Sequence, residues 1–162
     1  VRSSAASDVY KRQVFVFIME VTMSKLDLFR DHLDEREYRY RELTDDEGVT
    51  RAFIAQHEIK NNQILTVVYE FSEEETFVDL GIFDIAKIED PSKREALLDL
   101  INELNQGYRF GKFFVSDEGD VVMRWSLFIK DHFDPAVLLD MAFMLVGTIE
   151  EAYPKFMKIQ WT

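Results

Sequence analysis

The chain reads as an α+β domain on a single, mostly antiparallel sheet, with elements in the order αββββαββα. Three observations predict this. Residues 91–130 carry a punctuated helix followed by two strands around Asp117-Glu118-Gly119-Asp120. Between 38 and 88, β-branched and aromatic runs alternate with short turn clusters. Residues 136–156 are apolar at helical spacing, far beyond a strand's length.

In order, Ser24 to Glu37 is the first helix, with Ser24 as its cap and Leu26, Phe29 and Leu33 as a narrow apolar stripe. Asp31, Asp34, Glu35 and Arg36 form its solvated side. Tyr38–Leu43 and Val49–Ile59 flank the turn Thr44-Asp45-Asp46-Glu47-Gly48 as two strands. Lys60-Asn61-Asn62 is the next turn, Gln63–Phe71 a central strand, Glu73-Glu74-Glu75 a further turn and Thr76–Ile88 a fourth strand. Gly81 within it marks a bulge. Pro91 and a Ser92–Glu95 capping box open the middle helix. Leu97, Leu100, Ile101 and Leu104 stripe it, and Gly107 ends it. Phe110–Val115 and Val121–Lys130 are the last strands. In the second, Val121, Met123, Trp125, Leu127 and Ile129 share one face, which makes Trp125 a central core residue. Asp134-Pro135 starts the final helix, and Pro154 kinks or shortens its last turn.

Composition bounds the function. A chain of 162 residues with 47% apolar residues and 14 Phe folds as one packed domain despite a net charge of −12. That charge disfavours nucleic acid and anionic membrane surfaces as partners. With no Cys, thiolate metal sites, disulfides and Cys nucleophiles are absent, which suits a cytoplasmic protein.

Residues 1–22 read as a non-native or disordered leader, leaving 23–162 as the single domain. Val1 to Gln13 resembles translated sequencing-adapter read-through. The apolar Val14–Met19 is short for a signal-peptide core and lacks a small-residue cleavage site. Met19-Glu20-Val21-Thr22-Met23 can be encoded with a purine-rich ribosome-binding site before Met23, which marks Met23 as the start. Excluding the leader changes the net charge to −13.

Leu104-Asn105, a short link, Arg109-Phe110-Gly111-Lys112-Phe113, the acidic glycine turn 117–120 and a long apolar helix with a late Tyr153-Pro154 resemble the YbjN family of bacterial sensory transduction regulators. The resemblance spans roughly 23–160 and implies a type III secretion chaperone-like fold, in which dimers bind partner polypeptides. It departs from that fold in a fourth strand before the middle helix, and it brings no catalytic residues with it.

Site chemistry is sparse. His32, His57 and His132 lack ligand spacing and belong on the surface or in turns. Asp117–Asp120 and Asp45–Gly48 lack the distal Glu of a calcium loop. No phosphate loop or nucleophile elbow is present. No cofactor and no metal are expected. Tyr38 and Tyr40 alternate with Arg39 and Arg41, either as a small binding patch or as an edge strand guarded by cations. Met141, Phe143, Met144 and Val146 widen the final helix's apolar stripe beyond what one sheet face covers. They are therefore either core or an exposed patch for a partner. The sequence thus points to a non-enzymatic cytoplasmic protein-binding module, homodimeric through 136–156. The alternative is a small-ligand binder, for metabolites or nucleotides, with a pocket between the sheet and the last helix.

Overall fold

The computed structural model describes residues 23–162, so the expectations for 1–22 lie outside the described residues. The elements are α1 (Lys25–Glu35), β1 (Arg41–Thr44), β2 (Thr50–Glu58), β3 (Ile64–Phe71), β4 (Phe77–Lys87), α2 (Arg94–Gly107), β5 (Lys112–Val115), β6 (Asp120–Phe128) and α3 (Pro135–Trp161). The order is the expected αββββαββα. Six strands form one sheet in the order β1-β2-β3-β4-β6-β5, and every neighbouring pair is antiparallel.

Local chemistry explains the starts and stops. The Ser24 hydroxyl accepts from the Asp27 N–H at 3.0 Å, and the Glu75 carboxylate accepts from the Lys25 and Leu26 N–H groups at 2.8 and 3.3 Å. Two polar side chains therefore occupy the free donors of the first turn. At its other end α1 closes with Glu37 at φ 54. The Glu37 N–H donates to Asp34 O and the Tyr38 N–H to Leu33 O, a Schellman closure with Glu in place of glycine. This geometry keeps Tyr38 and Tyr40 in the helix exit, and β1 begins at Arg41, later than expected.

Four further expectations are corrected. The middle helix is capped by Asp90, whose Oδ1 accepts from the Ser92 N–H and hydroxyl at 2.9 and 2.7 Å. The first turn is a 3-10 turn over Pro91–Lys93, so the Ser92–Glu95 box does not form. Gly81 is not the bulge: it pairs in register with Val68 and Arg124. The register shift falls between Ile82 and Ala86, where Asp84 takes φ 62. A Cβ at Gly81 would stand 2.7 Å from the Phe83 ring, so glycine makes room for a ring folded over the strand. Trp125 lies on the core face opposite Leu80 but is only half-buried. β5 pairs with β6 only as far as Arg124, so Trp125 stands where β6 has become the sheet edge. Finally, α3 continues through Pro154 to Trp161, because Ala152, Tyr153 and Phe156 are buried on both sides of the proline.

The helices pack on one face of the sheet. Phe29 of α1 sits against Phe53, Tyr69 and Phe71 with ring centroids 5.0–5.9 Å apart. Phe156 of α3 meets Phe113 of β5 at 5.3 Å. Asn105 of α2 clamps the edge strand, accepting from the Phe113 N–H at 2.8 Å and donating to its carbonyl at 3.0 Å. Gly111 (φ 62) lets β5 begin against Leu145 and Met123, and a Cβ there would stand 2.6 and 2.8 Å from them. On the opposite face no described helix covers Glu70, Asp79, Arg124 and Ser126, which are exposed.

Candidate functional site

Two places bring together side chains beyond the needs of packing. The first is an aromatic cluster at the exit of α1. The Tyr38 hydroxyl is hydrogen-bonded to His57 Nε2 at 2.5 Å and to the Tyr69 hydroxyl at 3.0 Å. Phe143 stands edge-on to both Tyr38 and His57, at 6.0 and 5.4 Å between centroids. Burial raises the Tyr38 and Tyr69 phenols above their ordinary range and lowers the His57 imidazole, so all three favour their neutral forms.

The outer side of α3 adjoins this cluster. Leu138, Ala142, Leu145 and Ile149 are buried, while Val137, Phe143 and Met144 remain 45, 48 and 41% exposed. Met141 and Val146 are half-buried, and Val146 packs on the core. Of the residues singled out in the sequence, Phe143 and Tyr38 therefore meet, with Met144 on the same exposed side of the helix. Tyr40 does not join them. Its hydroxyl donates to Asp34 at 2.7 Å, its ring lies on Phe53, and burial with the nearby Asp34 pushes its pKa up to about 12.

Contrary to the expectation of a surface or turn position, His57 is half-buried. Its alternation with Phe53 and Ala55 along β2 is the signal that places it on the core face. His32 is also not superficial, since its Nε2 is buried without a hydrogen-bond partner. His132 is exposed as expected.

The second place is a recess of about 700 Å³ beside the β4 bulge, closed by the end of α3. β3 stays in register with β4 only as far as the Thr66–Phe83 pair, so β4 beyond Phe83 loses its neighbour. Gln63 fills part of the gap, donating to the Asp84 carbonyl at 2.6 Å and accepting from the Tyr153 hydroxyl at 3.3 Å. Thr66 donates to Asp84 Oδ2 at 2.6 Å. Phe83, Arg124 and Trp161 complete the wall. None of these was singled out for a site in the sequence, because they come from four separated elements.

The family model described as "Putative bacterial sensory transduction regulator" matches residues 25–157. The chain belongs to the YbjN family. A crystal structure of YbjN from E. coli, described as "a putative transcription regulator", aligns with a TM-score of 0.58 at 15% identity, over 80% of this chain and 92% of that one. That likeness shows a shared fold. No curated protein matches the chain. In this YbjN-family fold, no group of three or more His, Cys, Asp or Glu among the described residues could hold a metal ion. No described helix is long and apolar enough to cross a membrane.

Proposed function

We propose that this YbjN-family chain is a non-enzymatic cytoplasmic regulator that docks a polypeptide, in the first instance a second copy of itself, on the outer side of α3. One observation carries the reading: Phe143 and Met144 are 48 and 41% exposed on a helix whose opposite side is sealed in the core. Large apolar side chains grouped at a surface gain most by being covered. Phe143 is also steadied by Tyr38 and His57, so less side-chain freedom is lost on docking than for an isolated phenylalanine.

Light scattering after size exclusion tests it. Met144→Asp and Phe143→Asp should each turn an associated species into a monomer while the far-ultraviolet circular dichroism stays native. If either variant unfolds, that position is core. If both stay as associated as the parent, α3 is not the docking surface.

The second reading is a small-ligand binder. It is favoured by the recess at the β4 bulge, whose volume suits a small molecule and which is lined by residues of β4, β6 and the end of α3. Saturable ligand-induced shifts confined to recess resonances would support it.

A further inference from the structure

We infer that the recess beside the β4 bulge takes a small molecule joining a planar ring to an anionic group, with Phe83 and Trp161 against the ring and Arg124 against the anion. The inference rests on the small-ligand reading and assigns it a chemistry.

The ring half follows from two aromatic side chains that the core does not use. Trp161, on the last turn of α3, is 78% exposed at the rim. A large indole left in water beside a recess is the kind of surface that stacks on a flat ligand. Phe83 also lines the recess, on the sheet face that no described helix covers, with its ring lying beside Gly81. Gly81 is what permits that pose, since any Cβ would displace the ring.

The anion half follows from the charges around the recess. Lys87 Nζ is already held by Glu89 at 3.3 Å and Asp120 at 3.7 Å. The Asp84 carboxylate is turned onto the Thr66 hydroxyl. Arg124 lines the recess with no ion pair and no hydrogen bond among the described residues. In a chain of net charge −12, a guanidinium left without a carboxylate offers a planar fork of donors to an incoming anion. Gln63 and its bond to the Asp84 carbonyl hold the bulge open beside it. The positive φ of Asp84 marks strained backbone at this place, as is common where a bulge re-aims side chains toward a site.

The test uses the full chain, labelled with ¹⁵N, and four unlabelled probes: indole-3-propionate, indole, propionate and L-tryptophan. Indole-3-propionate should shift the Trp161 indole N–H and the Gln63 and Gln160 side-chain amides saturably. Indole should bind roughly tenfold more weakly or worse, and propionate alone should give no saturable shift. Arg124→Gln should remove that roughly tenfold advantage. Arg109→Gln, the same change at an exposed arginine away from the recess, should leave it intact. Tighter binding of L-tryptophan would add Asp84 as the partner of an ammonium and support the same anion assignment. Equal affinity for indole and indole-3-propionate, or an unchanged Arg124→Gln, would overturn the anion assignment and leave the small-ligand reading standing. No saturable shift with any probe at millimolar concentration would overturn both.

Discussion

His57 is half-buried on the core face of β2 among Tyr38, Tyr69 and Phe143, with no carboxylate in the cluster among the described residues to favour a charged ring. Burial lowers its pKa below the ordinary 6.5. As pH falls below 6.5 the unfolded chain binds a proton at this position before the folded chain does. The neutral-histidine contribution is therefore complete above that value and is lost as pH falls toward the lower folded pKa. Acidification should lower the melting temperature of the parent more than that of His57→Gln, after correction for the variant's own offset. Identical slopes in thermal melts across this range would show that the cluster tolerates the charge. At the same scale, Glu37 and Asp84 hold left-handed backbone that glycine usually supplies, so neither position was legible from residue type.

α3 owes its length to burial more than to intrinsic preference. A proline in a helix interior removes one hydrogen bond and crowds the preceding turn, at a cost of about 3 kcal/mol. The helix persists because Tyr153 and Phe156, on either side of Pro154, are both held in the core. Pro154 itself is exposed, so Pro154→Ala should need no repacking. The expected gain is roughly 1–3 kcal/mol, read as a raised denaturant midpoint at constant slope. A loss would mean that the proline shapes the packing of the last two turns, including the position of Trp161. Element identity was legible throughout because it rests on spacing and on turn residues. Element ends were less so. Asp90 in place of Ser92 as the cap, and Arg41 in place of Tyr38 as the start of β1, depend on which of two neighbouring groups captures a free N–H.

Among the described residues, one layer of helices covers one face of the sheet and leaves Val137, Phe143 and Met144 on α3's outer side exposed. The net charge of −12 opposes self-association, and added salt screens that repulsion. A dimer closed over Phe143 and Met144 should therefore tighten as salt rises. Its melting temperature should rise with protein concentration, and Met144→Asp should abolish both trends. Sedimentation equilibrium at low and high salt checks this directly. Dissociation by salt would instead mark an interface built on ion pairs, away from this patch.

By itself the sequence determined the fold class, the order of nine elements, the two caps at Ser24 and Asp134 and the membership implied by the 104–120 and 153–154 motifs. The fold class, element order and caps depend on local periodicity or on contacts within a few residues, and the membership rests on the resemblance of those motifs to the family. Only the tertiary structure decided that β6 sits beside β4 with β5 at the edge, which leaves Trp125 half-buried. It alone joined Tyr38, His57, Tyr69 and Phe143, and it alone gathered Gln63, Phe83, Arg124 and Trp161 around one recess. Those groups come from elements far apart in the chain. Their meeting depends on sheet order and register, which a periodic pattern does not encode.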